Sequence, residues 1–172
     1  MPDITITLAA AADARDMAEI HARSWEVAYA DLIPPETMRE VNATRPAMWE
    51  RKLANGGNVG DYILRDGDTA VGFLGVGDVR LDDDADLDDT FFEIYGLYMH
   101  PDHFGRGYGT VAVAFAEELA RSRGKRHLVL WAFRDNASAS RFYESRGFRL
   151  DGAEQVLDFG APLVGVRWRK DV

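Results

Sequence analysis

A glycine-rich segment with the spacing of a phosphate-binding loop lies beyond the middle of the chain. Residues 100–110 read HPDHFGRGYGT, so Gly105, Gly107 and Gly109 occupy alternate positions. Glycine permits positive φ angles and has no Cβ to block the approach of a ligand to the backbone. The helical pattern that follows, over residues 108–123, adds unbonded N–H groups and a partial positive charge at its first turn. Together these features predict a ligand that carries a diphosphate.

Three classes of diphosphate ligand compete for this loop. A Walker A loop requires Gly-Lys-Ser/Thr, but Thr110 follows Gly109 with no Lys between them, which excludes a nucleoside triphosphatase. A dinucleotide-binding unit requires G-x-G-x-x-G and an acidic residue about twenty positions later. Here the spacing is G-x-G-x-G, and Arg126 and His127 occupy the later region. The third class is coenzyme A, whose pyrophosphate would lie on the loop and whose pantetheine arm would follow the preceding strand.

The length and composition of the chain are typical of a globular protein. The chain has 172 residues, which suits one domain over residues 1–172. It contains no Cys, which excludes disulfides, a Cys nucleophile and Cys-based metal sites, and its four His show no metal-binding spacing. No apolar run approaches ~20 residues, and the first residues lack the pattern of a signal peptide. We therefore expect a cytoplasmic protein that binds neither membrane nor metal.

Charge is distributed unevenly along the chain. The net charge is −9, but residues 101–150 hold nine Lys and Arg against five Asp and Glu, a local +4, so the remainder carries −13. Positive charge near the glycine loop suits an anionic ligand, although scattered arginines on helix surfaces would give the same count. The overall acidity argues against nucleic acid as a partner.

Hydrophobic periodicity predicts the remaining elements. The predicted strands are 4–8, 60–65, 70–80, 91–100, 127–133, 153–159 and 163–169. The predicted helices are 13–30, a short one beginning at Pro34-Pro35-Glu36, another at 46–53, then 108–123 and one capped by Asn136 that runs to Arg146.

An acidic segment separates two of these strands. Residues 81–89 contain six Asp in nine positions and are predicted to form the tip of a long hairpin. One interpretation is a solvated loop, and another is a surface that attracts a cationic substrate. A calcium loop fits poorly because the EF-hand spacing and its closing Glu are absent.

Three segments together resemble the GCN5-related N-acetyltransferase (GNAT) family. They are residues 93–102 (EIYGLYMHPD), 105–109 (GRGYG) and 131–148 (WAFRDNASASRFYESRGF), and the order of elements fits over essentially the whole chain. The loop of the family usually begins with Gln or Arg, where this chain has Phe104. The resemblance implies an α/β (α+β) fold with a central, mixed, mostly antiparallel and twisted sheet of about seven strands, flanked by about four helices.

The resemblance also implies an activity. An acetyl group would pass from acetyl-CoA directly to a primary amine of a small molecule or peptide, within a ternary complex. A non-catalytic acyl-CoA-binding sensor and a transferase that uses another acyl-CoA donor are the alternatives. The residues implied to bind coenzyme A are Leu97, Tyr98, Met99, Gly105, Arg106, Gly107, Tyr108, Gly109, Thr110 and Asn136.

Two residues are candidates for acid–base catalysis. Tyr143 lies where the family often places a general acid for the coenzyme A thiolate, although a core aromatic is the simpler interpretation. Glu93 is a candidate base, acting directly or through water, and an ion pair is its alternative role. Period-two alternation predicts that Glu93, Tyr95 and Leu97 share one face of their strand. In the family this strand diverges from the next one, and Gly96 is a candidate for a bulge at that point.

The acceptor is the least determined part of the prediction. Trp25, Tyr29 and Trp131 are candidates for the wall of the acceptor pocket, with plain core packing as the alternative. The −13 charge outside residues 101–150 favours a cationic amine. A homodimer through the last strands is compatible with the sequence, but no residue decides it.

Overall fold

A seven-stranded sheet lies at the centre of the computed structural model, which describes residues 3–54 and 60–172. The strands are β1 (Ile4–Leu8), β2 (Asp61–Asp66), β3 (Thr69–Asp78), β4 (Phe91–Met99), β5 (His127–Phe133), β6 (Arg149–Asp158) and β7 (Pro162–Asp171). Their order across the sheet is β1-β2-β3-β4-β5-β7-β6. Within the described chain β4 and β5 run parallel and every other neighbouring pair is antiparallel. The predicted mixed, mostly antiparallel sheet is confirmed.

Five α-helices lie in the described ranges, four of them longer than a single turn. They are α1 (Ala14–Ala28), α2 (Pro35–Ala54), α3 (Leu81–Asp84), α4 (Tyr108–Ser122) and α5 (Ala137–Ser145). Short 3₁₀ turns occupy Ala11–Asp13 and Pro101–His103. Within residues 3–54 and 60–172, no helix has both the length and the apolar character needed to cross a membrane.

The sheet buries apolar side chains on both faces. On one face Leu74 and Leu130 pack with Val113 of α4. On the other face Phe73 packs with Met17 of α1, and Phe133 packs in a neighbouring cluster with residues of α1. Because side chains alternate between the faces of a strand, these contacts define an α4/α5 face and an α1/α2 face.

The helix α2 corrects one prediction. Two separate helices were expected, a short one beginning at Pro34-Pro35-Glu36 and another at 46–53, but the structure has one helix of 20 residues with Pro46 inside it. Proline removes one helical hydrogen bond and usually ends a helix. Here Arg45 and Trp49, which flank Pro46, are buried, and α2 packs along α1. This tertiary packing stabilises the helix on both sides of the proline.

The strands β4 and β5 form a fork. They pair from Phe91 with His127 to Ile94 with Leu130, and no further pair between them is found within the described residues. The register of β3 against β4 also shifts at this level, where Gly75 pairs with Gly96 and Val76 pairs with Ile94. Tyr95 is the extra residue of this bulge. A break next to Gly96 was predicted, and the structure has one there.

The acidic segment 81–89 is not simply a solvated hairpin tip, and that prediction is wrong for part of it. Asp84 is fully buried in the one-turn helix α3, and Arg167 of β7 is 4% exposed. The guanidinium of Arg167 lies 3.1 Å from a carboxylate oxygen of Asp84 and 2.6 Å from one of Asp86. A buried guanidinium requires such partners, which explains why the segment folds onto the sheet.

Candidate active site

A cavity of about 680 Å³ opens at the fork between β4 and β5. Its walls come from α1, the diverging part of β4, the glycine loop, β5 and the start of α5. The lining residues are Ser24, Val27, Ala28, Tyr29, Ile94 to Met99, His103 to Thr110, Leu130 to Ala132, Asp135 to Ala139, Phe142 and Tyr143. The cavity therefore brings together residues from three separate stretches of the sequence, 24–29, 94–110 and 130–143.

The glycine loop leaves open space above its backbone. Gly105 and Gly107 have φ angles of +75° and +84°, in the left-handed region that favours glycine. A Cβ added at either position would meet no described heavy atom within 4 Å. The helix α4 begins directly afterwards at Tyr108, and no side chain of the described residues caps its first turn. N–H groups at this helix end are therefore free to bind an anion.

The loop is anchored beneath by Tyr108. This side chain is 2% exposed, and its hydroxyl donates a hydrogen bond of 2.5 Å to the Asp66 carboxylate at the end of β2. Phe104, at the start of the loop, is 51% exposed and lines the cavity. The position where the family has Gln or Arg therefore presents an aromatic ring.

The open side of β4 exposes backbone donors. The N–H of His100 donates to the carbonyl of Val71 in β3, at 2.9 Å. Because successive N–H groups of a strand point to opposite sides, those of Met99 and Leu97 point toward β5. This is the part of β4 beyond its pairing with β5, so these two donors face the cavity.

The helix α5 supplies one capping side chain and one buried hydroxyl. The side-chain oxygen of Asn136 accepts a hydrogen bond of 3.1 Å from the N–H of Ala139, which caps the helix. Two turns later, Tyr143 is 8% exposed and lines the same cavity. Burial raises the pKa of Tyr143 further above its ordinary value, and its hydroxyl is protonated at neutral pH.

Glu93 lies below the fork and outside the cavity wall. It is fully buried, and its carboxylate binds the Arg80 guanidinium and accepts a hydrogen bond of 3.1 Å from the Arg80 N–H. Burial raises its pKa, while Arg80 acts in the opposite direction. The predicted alignment with Leu97 is wrong. Glu93 pairs with Gly77 and Leu97 with Leu74, which are three residues apart in β3 and so lie on opposite faces; the bulge in β4 therefore puts Glu93 and Leu97 on opposite faces as well.

Residues 14–148 match the model of the acetyltransferase (GNAT) family, which is well over half of the chain. The chain belongs to the acetyltransferase (GNAT) family. It is 24% identical, over 97% of its length and 90% of the relative, to the uncharacterised N-acetyltransferase YuaI of Bacillus subtilis. This acetyltransferase is therefore an acyltransferase enzyme by family.

Solved structures show the same fold. One is the PaiA N-acetyltransferase of Thermoplasma acidophilum in complex with coenzyme A, with a TM-score of 0.78, 18% identity and coverage of 99% of both chains. Another is YncA of Salmonella typhimurium with acetyl-CoA, with a TM-score of 0.68, 23% identity and coverage of 98% of this chain and 94% of the other.

The opposite wall of the cavity in this acetyltransferase consists of aromatic and small side chains. Tyr29 and Trp131 line it, as do Ser24, Val27 and Ala28 of α1. Trp25 does not. It is 9% exposed and packs behind Tyr29, with ring centroids 5.0 Å apart. Of the three predicted wall residues, the structure brings two to the cavity and places the third in the core.

The sequence did not lead us to predict that three small residues of α1 line the cavity, although their spacing indicates a shared helix face. Ser24, Val27 and Ala28 follow the i, i+3, i+4 spacing of a single helix face. The sequence also did not reveal that Trp131 donates a hydrogen bond of 3.0 Å to Asp84. Within residues 3–54 and 60–172, no group of His, Asp and Glu side chains could hold a metal ion.

Proposed function

We propose that this acetyltransferase moves an acetyl group from acetyl-CoA to a primary amine of a small molecule or peptide, with both substrates bound together. One observation carries the proposal: the cavity joins the glycine loop to Tyr29 and Trp131 through the gap between β4 and β5. Two related folds, solved with coenzyme A and with acetyl-CoA, support the choice of donor.

The residues present fit coenzyme A. The positive φ angles and unfilled space at Gly105 and Gly107, followed by the uncapped start of α4, suit a pyrophosphate. The N–H groups of Leu97 and Met99 suit the amides of the pantetheine arm, which would lie beside β4 as an added strand. We call this set, with Tyr98, Arg106, Tyr108 to Thr110, Asn136 and Tyr143, the donor end. When bound, acetyl-CoA supplies the thioester that the amine attacks.

The chain contributes positioning, a hydrogen-bond donor and a proton. The donor end fixes the thioester beside the amine, which removes much of the entropic cost of bringing two reactants together. An N–H of β4 in the fork lies where it can stabilise negative charge on the thioester oxygen. The hydroxyl of Tyr143, which lines the cavity, donates a proton to the departing sulfur.

We assign the amine proton to Glu93, acting through water. Glu93 pairs with Val129, one position before the last pair of β4 with β5, so it lies directly below the fork. Its raised pKa makes it a stronger base than an ordinary carboxylate, and Arg80 holds its carboxylate in place. Water is needed because Glu93 does not reach the cavity wall.

The acceptor binds at the amine end, which we define as Ser24, Val27, Ala28, Tyr29 and Trp131. The charge of −13 outside residues 101–150 favours a cationic amine there. Trp25 supports Tyr29 from the core and does not contact the acceptor.

A panel of amines tests the proposal. Spermidine, tyramine and glycinamide are each mixed with acetyl-CoA, with succinyl-CoA as the comparison donor, and thiol release and acetylated product are measured. Tyr143→Phe is expected to lower kcat about 100-fold because it removes the general acid. Tyr62→Phe changes a tyrosine that is equally buried but lies outside the cavity, and should leave kcat unchanged. Thiol release that needs no amine and is unaffected by Tyr143→Phe would contradict the proposal.

A further inference from the structure

The connection between β3 and β4, residues 79–90, contacts one side chain of the cavity wall, that of Trp131. Trp131 is the first residue of β5 beyond its pairing with β4, and it lines the amine end. It lies on the α1/α2 face, because it pairs with Arg167 and alternates with Leu130, whose side chain packs toward α4. The orientation of its indole therefore helps to shape the wall against which an amine would lie.

Asp84 fixes that indole. One oxygen of its carboxylate, Oδ1, accepts a hydrogen bond of 3.0 Å from the indole N–H of Trp131. The same oxygen lies 3.1 Å from Nη1 of Arg167. Both Asp84 and Arg167 are almost completely buried. An indole with one N–H donor, held by a buried charged acceptor, has a defined orientation.

Arg167 in turn fixes Asp84. Its guanidinium also binds Asp86 in two contacts of 2.6 and 2.7 Å, and Asp151 of β6 at 2.7 Å. The guanidinium carbon lies 5.7 Å from the Trp131 ring centroid. Three carboxylates on one buried cation clamp residues 84–86 to the sheet, so Asp84 cannot move away without breaking several charged contacts.

A purely stabilising role explains this arrangement poorly. The second oxygen of Asp84, Oδ2, is buried and has no hydrogen-bond partner among the described residues. Burying a carboxylate with an unsatisfied oxygen costs free energy that an apolar side chain would avoid. The hydrogen bond that Asp84 accepts from Trp131 offers a reason, other than stability, for a carboxylate at this position.

We infer that Asp84 is a positioning residue, which through its hydrogen bond to Trp131 sets the affinity of the amine end for the acceptor. The inference rests on the proposed function. Arg167 supports it as the clamp, and the acidic segment 81–89 acts on the amine through the indole of Trp131. Acceptor selectivity then depends on a residue that does not touch the acceptor.

Steady-state kinetics with the best amine of the panel test the inference. Asp84→Ala is expected to raise the KM for the amine about tenfold, from loss of a hydrogen bond to a charged group, and to leave the KM for acetyl-CoA within about twofold. Asp84→Asn keeps an oxygen that can accept from the indole and should stay within about threefold of the parent. Asp86→Asn is the matched control, because Asp86 binds the same Arg167 without contacting Trp131.

Two kinetic outcomes overturn the inference: an equal rise in amine KM for Asp86→Asn and Asp84→Ala, or a rise in the KM for acetyl-CoA that matches the rise for the amine. A second measurement does not depend on activity. The indole N–H resonance of Trp131, identified by its loss in Trp131→Phe, should shift and exchange faster with solvent in Asp84→Ala. An unchanged resonance also overturns the inference. Failure of the wild type to acetylate any amine counts against the proposed function alone.

Discussion

The donor end and the amine end are built from different parts of the chain. Most of the donor end is backbone from one stretch, residues 97–110, where N–H groups of β4, the glycine loop and the first turn of α4 follow one another. The amine end is made of side chains from α1 and β5, and Trp131 depends on contacts from the β3–β4 connection and β7. We therefore expect a site of backbone groups to tolerate a changed side chain such as Phe104, and a site of converging side chains to respond to changes in any of its segments.

The largest expected effect concerns Glu93, which lies below the fork where the donor end and the amine end meet. Glu93→Gln should lower kcat/KM for the amine about 100-fold at pH 7, because it removes the proposed base. In the wild type, activity should rise with pH as Glu93 loses its proton, at a pKa above the ordinary carboxyl value of 4.5. The variant should lose this acidic limb, measured as the pH profile of kcat/KM. An unchanged profile would show that the amine loses its proton elsewhere.

A pair of glycine substitutions tests the backbone character of the donor end. Gly107→Ala places a Cβ in the open space of the loop at a φ of +84°, and should weaken coenzyme A binding at least about tenfold. Gly124→Ala introduces comparable strain at a φ of +72°, also in open space but after α4 and away from the cavity.

Titration calorimetry with coenzyme A compares the two variants, and thermal unfolding checks that they lose similar stability. If Gly124→Ala weakened coenzyme A binding as much, backbone strain rather than the loop surface would explain the effect.

A charge introduced on α1 tests the amine end. Val27 is 52% exposed and lines the cavity. Val27→Lys should raise the KM for spermidine about fivefold through repulsion of a cationic amine, and 0.5 M salt should reduce the effect. Val156→Lys is the control, since Val156 is 68% exposed on β6 and far from the cavity wall. Equal kinetics for the two variants would remove the argument for a cationic acceptor.

The smallest expected effect concerns stability. Arg167 lowers the pKa of Asp86 to about 2 from the ordinary 3.8. A carboxyl with a lowered pKa stabilises the fold above pH 3.8, and this contribution is lost as the pH falls toward 2. Asp86→Asn should therefore lower Tm at pH 7 by less than about 3 °C, because the Asp86 side chain is 64% exposed. The difference in Tm should vanish near pH 2, and a constant difference would contradict the assignment.

The sequence predicted the local geometry of the glycine loop and of the start of α5 because the signals for these features are local. The glycine spacing, the start of α4 at Tyr108 and the Asn136 cap depend on neighbouring residues, and the structure has all three. Hydrophobic periodicity also predicted the seven strands, with limits that differ by a few residues, and the family resemblance implied the sheet that they form.

The wrong predictions concern features that depend on tertiary contacts or on an irregular strand, which the neighbouring residues do not reveal. Period-two alternation cannot reveal a bulge at Tyr95, so Leu97 was assigned to the wrong face. The burial of Asp84 depends on Arg167, which is 83 residues away, and a run of aspartates gives no sign of such a partner. Pro46 looked like the boundary of a helix, because packing of α2 on α1 cannot be read from its neighbours.

The fork has a consequence for how the protein avoids aggregation. Edge strands with unpaired backbone groups invite pairing with other chains, and most sheets carry such edges on their outside. Here β4 and β5 hold two edges inside the sheet, each facing the other across the cavity. A strand of another protein would have to enter end-on between walls formed by α1, the glycine loop and α5. We expect a thin molecule with spaced amides, such as the proposed pantetheine arm, to meet no such barrier, so that the gap would admit a ligand while excluding a neighbouring chain.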